Sequence, residues 1–377
     1  MKKKQVIFFA LFFVSCSSIK QLANEKVNPK IDCQKLVLNN KSPLLDLNID
    51  GFDTNFLFDT GATRSVLIDS TVVPNFRIKK TSSFGSVKGA DNKKIVKRLL
   101  TVQLNSSLFE SNTKVLSFVT MPASRCQQPT RNYSGILGLD VFFENKLSMQ
   151  LDFTNQKICN INDSQLNQSL ADYPYQLIKS KCKWNQIFIY LTIEDKEYKF
   201  LLDTGYTGNI ILPFDEKRKF RNNKKLVLEG SLFQTISSYT HGQEIVYEKM
   251  QIEFAGQHFE SKVNVSTSIK AQNIGIDFIK AFDWLIDYNH NKVYVKRNQN
   301  AIESNFNRKV MYYAKVNKEK LEIVVKEKSQ TKFKVGDQII SINGQKVSEE
   351  NQCELQDLLN KTEDWNSLQL EVISNSQ

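Results

Sequence analysis

Apolar and polar residues alternate in short stretches along most of the chain, with Gly, Asn and Asp between them, a pattern that predicts short strands joined by tight turns. Two stretches are near copies of each other. Leu44 to Ile68 reads LLDLNIDGFDTNFLFDTGATRSVLI and Phe188 to Leu212 reads FIYLTIEDKEYKFLLDTGYTGNIIL. Each predicts a strand, a polar turn (Asp50-Gly51; Glu194-Asp195), a second strand and then Asp-Thr-Gly. A second echo follows in each half, GILGLDVF from Gly135 and QNIGIDFI from Gln272, with a strand pair after it. Between the echoes, Ser86 to Leu104 and Gly230 to Phe254 carry further alternating strands. Residues 31–162 and 175–297 therefore read as two copies of one mostly-β lobe.

Beyond the repeat, Asn298 to Arg308 is polar and predicts a linker. Met311 to Val325 alternates again, and KVGDQIISINGQKV from Lys334 predicts turn, strand, tight turn and strand. Glu350 to Leu359 predicts a helix with Leu355, Leu358 and Leu359 near one face. Residues 305–377 thereby resemble the second half of a PDZ domain, although Lys320 to Ile323 lack the glycine of its carboxylate-binding loop. A small β-rich cap that binds nothing is the alternative.

The N-terminus changes the picture of where the chain resides. Lys2, Lys3 and Lys4 precede the apolar run Val6 to Val14, too short to span a bilayer but suited to a secretory signal. Ser15 before Cys16 resembles a bacterial lipoprotein processing site, with Phe13 where leucine is usual. The expectation is a signal at residues 1–15, lipidation of Cys16, a tether at 16–30, and export to the bacterial envelope facing periplasm or cell surface. Ser17 carries no retention charge, which points to the outer membrane. A plain cleaved signal or an uncleaved anchor are the alternatives.

With 41% hydrophobic residues the chain has the composition of a globular protein. The formal charge of +11 is spread without an arginine-rich block and reads as a solvated surface, not a nucleic-acid site. Six cysteines leave, besides Cys16, five that allow one or two disulfides in unassigned pairs and at least one free thiol. His241, His258 and His290 belong to no metal-ligand pattern, so neither metal nor other cofactor is expected.

The chemistry lies in the duplicated Asp-Thr-Gly. Peptide hydrolysis needs a base for water and an acid for the carbonyl oxygen, and two carboxyls sharing one proton supply both. Two similar loops meeting about a pseudo-twofold axis bring such groups together. Gly61 and Gly205 permit tight turns that aim amides at the carboxyls, while the hydroxyls of Thr60 and Thr204 are placed to bond the opposite loop. A single Asp-Thr-Gly is usually just a turn; two at equivalent repeat positions are a site.

On these residues the chain resembles aspartic peptidases of the retropepsin and pepsin kind. Phe58-Asp59-Thr60-Gly61-Ala62 matches the family loop, and Ile136-Leu137-Gly138 its supporting segment. Leu202-Asp203-Thr204-Gly205 and Ile274-Gly275 take the same places in the second lobe. The resemblance implies a mainly β fold of two pseudo-symmetric pepsin-like (acid protease) lobes followed by the small α+β PDZ-like domain. It further implies an Asp59/Asp203 dyad holding a nucleophilic water, an extended peptide or protein substrate, and a tail that takes a C-terminal peptide. Tyr206 departs from the pattern where Ala62 stands in lobe one, and Asn273 replaces the first apolar residue of the supporting segment. Lys88, Gly89 and Ala90 are the candidate flap tip. A catalytically inactive peptide-binding lipoprotein of the same fold is the alternative.

Overall fold

The computed structural model describes residues 25–39, 41–68, 86–88, 94–96, 98–119, 126, 133–143, 147–221, 224–235, 239–305, 311–317 and 319–374. Cys16, Gly89 and Ala90 lie outside the described residues.

Strands Ser42–Ile49 and Phe52–Phe58 form an antiparallel hairpin from Leu44↔Leu57 to Ile49↔Phe52. Their two-residue turn has positive φ at both Asp50 (49°) and Gly51 (92°), the geometry whose twist matches a hairpin. Strands Ile187–Ile193 and Lys196–Leu202 repeat the hairpin with Glu194 (44°) and Asp195 (69°) at the turn. Alternate side chains face inward in both: Leu45, Leu47 and Ile49 are buried in one, Ile189, Leu191 and Ile193 in the other.

Each hairpin delivers its second strand to an aspartate, and a short strand from the second echo lies parallel to it. Gly135–Leu137 pairs with Phe56 to Phe58 on one side and with Val66–Leu67 on the other. Asn273–Ile274 does the same with Leu201 and Leu202, and with Ile210 and Ile211. The lobes are then fused by a six-stranded sheet, in which Ser148–Asp152 of lobe one pairs with Phe282–Asp287 of lobe two. One hydrophobic core runs through both, from Leu45, Phe58 and Leu137 to Leu202, Ile274 and Trp284.

Between the lobes Asp163–Asp172 is helical, capped by Asn162 and Gln165 in a reciprocal capping box. Among the described residues two disulfides form, Cys33–Cys159 within lobe one and Cys126–Cys353 between lobe one and the tail. Cys182 is free and buried, its thiol pushed up to about 12 by burial and then by Asp287. Residues 298–305, after lobe two, are tied to the lobes by polar contacts. Asn298 bonds the Lys280 carbonyl, and Glu303 pairs with Lys41 and Lys262.

The tail has its own core of Tyr312, Ala314, Ile323, Ile339, Leu355, Leu359 and Trp365. Its strand Lys320–Glu327 joins lobe two by pairing with Lys225–Gln234 (Gly230↔Val325). Gly230 has φ +125°, and a Cβ there would lie 2.1 Å from the Val324 carbonyl oxygen, so this junction requires glycine. The tail helix Gln352–Lys361 turns polar side chains onto the free edge of strand Tyr312–Asn317. Asn360 accepts from the Ala314 amide and donates to its carbonyl (2.9 Å each), and Gln356 accepts from the Val316 amide (2.7 Å).

Candidate active site

Asp59 and Asp203 follow directly on their strands and are fixed by the strand beside them. The Asp59 amide donates to the Leu137 carbonyl (3.0 Å), and the Asp203 amide to the Ile274 carbonyl (2.9 Å). Between the loops the threonines are exchanged. Thr60 Oγ1 donates to the Leu202 carbonyl (2.6 Å) and accepts from the Thr204 amide (3.1 Å). Thr204 Oγ1 donates to the Phe58 carbonyl (2.7 Å) and accepts from the Thr60 amide (3.0 Å). All four bonds are buried; at about 0.5–1.5 kcal/mol each they lock the relative position of the loops.

The glycines show how near the carboxyls come. A Cβ on Gly61 would sit 2.6 Å from Asp203 Cγ, and one on Gly205 2.5 Å from Asp59 Cγ. Each glycine is therefore the space that the opposite carboxyl occupies. Asp59 Oδ1 accepts from the amides of Gly61 (2.8 Å) and Ala62 (3.1 Å), and Asp203 Oδ1 from those of Gly205 and Tyr206 (3.1 Å each). Gly138 and Gly275 sit directly against the loops: a Cβ on Gly138 would lie 2.7 Å from the Ala62 carbonyl oxygen, and one on Gly275 2.4 Å from that of Tyr206.

The two carboxyls come close enough that each shifts the protonation of the other. Burial raises Asp59 above the usual carboxylate range, and the Gly61 amide, the Asp203 carboxyl, and the Ala62 and Gly205 amides oppose that rise. Burial raises Asp203 further, and the charge and carboxyl of Asp59 push it higher still. Two carboxyls so close do not both ionise freely, so they titrate as a pair that shares one proton. Each aspartate keeps some accessible surface, so solvent reaches the pair although the loops crowd its carboxyls.

Residues 39–150 match the family model of the retroviral aspartyl protease. The match sets a retropepsin-like aspartic protease domain on lobe one, and with it the mainly β architecture is that of a pepsin-like fold. No curated protein matches the chain. The matched span contains Asp59 but not Asp203, so lobe two enters the site through the repeat of backbone geometry alone.

Around this retropepsin-like site, Ile136 and Leu137 lie on the strand beside Asp59, and Ile274 on the strand beside Asp203. Lys88 ends the strand Ser86–Lys88, which pairs antiparallel with Lys94–Val96 in a two-stranded sheet. Tyr206 turns its ring against Gly208 and Gly275, where added Cβ atoms would lie 2.3 Å from its hydroxyl and 2.5 Å from its Cδ1. That hydroxyl is buried without a hydrogen-bond partner and is pushed well above its usual range, first by burial and then by Glu244. Among the described residues no cluster of three His, Cys, Asp or Glu is arranged to hold a metal.

Sequence reasoning gave no role to the acids of the second echo. Asp140 accepts from Ser65 (2.7 Å) and pairs with the fully buried Lys114 (2.6 Å), which also pairs with Glu25. Its counterpart Asp277 pairs with Lys41 from lobe one (2.6 Å) and with Lys280. In the reverse direction Asn185 of lobe two donates to the Thr63 carbonyl of lobe one (3.2 Å). Lys41 and Asn185 occupy equivalent turns, so each lobe braces the Asp-Thr-Gly loop region of the other. The signal was the aspartate common to GLDVF and GIDFI.

Proposed function

We propose that the protein is an aspartic endopeptidase whose Asp59 and Asp203 activate a water against a peptide bond of an extended substrate. The observation that carries this reading is the close approach of two carboxyls from the repeated loops, each filling the space left by the opposite glycine. Asp59, the ionised member, takes a proton from the water as its oxygen attacks the carbonyl carbon. Asp203 gives its proton to the carbonyl oxygen, forming a gem-diol. In the second step Asp59 passes its proton to the amide nitrogen as the C–N bond breaks, and Asp203 recovers one from a gem-diol hydroxyl. The dyad returns to its starting state without a covalent intermediate.

The test is a fluorogenic peptide library assayed from acidic to neutral pH with the wild type, Asp59→Asn and Asp203→Asn. Turnover that disappears in both variants is expected; turnover that survives either one removes the dyad from the reaction. Tyr206 is the feature that favours the binding-only alternative, because nothing equivalent stands beside Asp59. Its backbone amide nevertheless serves Asp203 as the Ala62 amide serves Asp59, which supports the active reading.

In the same proposal the chain is exported and held in the bacterial envelope through lipidated Cys16; Cys16→Ser is expected to release it from the membrane fraction. The tail acts as a PDZ-like module. Its ligand edge is already occupied by Gln356 and Asn360, so a C-terminal peptide enters only when those side chains let go.

A further inference from the structure

The two supporting strands differ at one buried position. Ile136 pairs with Leu57 in lobe one, and at the matching place in lobe two Asn273 pairs with Leu201. Ile136 demonstrates that an apolar side chain fits this register, so packing does not call for an amide. Asn273 is 5% exposed; its Nδ2 donates to Asp203 Oδ2 at 2.5 Å, and its Oδ1 is buried with no hydrogen-bond partner. A buried amide with half its capacity unmet is a standing cost, so something must offset it.

What it touches is the dyad. Both backbone donors to Asp203 go to Oδ1, which leaves Oδ2 to Asn273. Asp59 likewise takes its backbone donors, Gly61 and Ala62, on Oδ1. Asp203 thus has a third donor, a side chain, at the place where lobe one sets Ile136, which has none to give. The titratable groups around Asp203 are Asp59 opposite and Tyr206 on its own loop, with Glu244 and Asp277 acting on the Tyr206 hydroxyl.

We propose that Asn273 is a positioning residue that holds Asp203 Oδ2 through its side-chain amide and so fixes the carboxyl that gives its proton to the substrate carbonyl. The inference rests on the peptidase reading above for its kinetic consequence, though not for the hydrogen bond itself. A donor to the charged form favours that form. Without it, Asp203 keeps its proton to higher pH.

The experiment uses the full chain and the variant Asn273→Ile, which copies lobe one; Asn273→Leu serves if the isoleucine variant does not fold. Two readouts are taken: the pH profile of kcat/KM on a cleaved peptide, and a titration of the dyad by NMR with aspartate labelled at 13Cγ. The alkaline limb and the upper apparent pKa of the pair are both expected to rise by about one pH unit. At the pH optimum kcat is expected to fall about tenfold with KM changed less than twofold, the split that marks an interaction made in the reaction and not in binding. A limb and a titration that stay in place in a folded variant overturn the proposal while leaving the peptidase reading intact. A wild type that cleaves nothing sinks the peptidase reading, and the NMR titration still decides the role of Asn273.

Discussion

In lobe one Asp59 is followed by Ala62 and supported by Ile136; in lobe two Asp203 is followed by Tyr206 and supported by Asn273. The backbone hydrogen bonds on the two sides agree to within a few tenths of an ångström, from the strand amides to the exchanged threonines. The difference teaches that the geometry of a carboxyl pair is set by main chain and glycine, whereas its proton balance is set by whichever side chains stand next to it. Lobe one kept the family's side chains and is matched by the family model; lobe two kept the geometry.

The largest expected effect concerns an edge strand that only lobe one staples. Cys33 faces Cys159 across a strand pair and is bonded to it, while Leu177 faces Tyr294 at the corresponding place in lobe two. Replacing both cysteines by alanine should lower stability by about 4–5 kcal/mol in the chain-entropy picture, read from urea unfolding. An unchanged midpoint would show that the edge of lobe one needs no staple either.

Next comes an acid that only lobe two buries. Glu244 accepts from Asn264, and burial pushes it from 4.5 to about 7. The native chain keeps the proton that the unfolded chain releases, so stability declines as pH rises from about 4.5 to about 7 and is level above that. Glu244→Gln keeps the acceptor and removes the ionisation, so it should raise stability by roughly 3 kcal/mol at pH 8 and by little at pH 4. Equal effects at both pH values would contradict the assignment.

The glycines test the equivalence of the lobes itself. Gly61→Ala and Gly205→Ala each drive a methyl into the opposite carboxyl and should each reduce kcat/KM about 100-fold, the scale expected for displaced reacting groups. A large effect from one alone would break the symmetry of the loops. The smallest effect is Tyr206→Phe: removing a hydroxyl that is buried without a partner should stabilise by about 1 kcal/mol with turnover retained, as at Ala62. Loss of turnover there would give that hydroxyl a function.

Much of this arrangement could be read from the sequence because it is local and repeated. Alternation, the Asp50-Gly51 turn and Asp-Thr-Gly each act within a few residues, and the recurrence of the motif told which aspartates to set together. What stayed hidden depends on contacts between distant residues. Nothing local pairs Lys41 with Asp277, Cys126 with Cys353, or Gly230 with Val325. The helix at Asp163–Asp172 was legible in its Asn162 and Gln165 capping box but was passed over because the segment reads as polar. Asn273 and Tyr206 were visible as departures, yet what a departure does depends on which atom it reaches.

The central claim is that Asp59 and Asp203 share one proton, and a 13Cγ NMR titration of the two carboxyls tests it most directly. The account predicts two widely separated steps, with one carboxyl still protonated well above the ordinary range, and a single step once Asp59 is replaced by asparagine. Two independent titrations near the usual aspartate value, unaffected by that substitution, would contradict it.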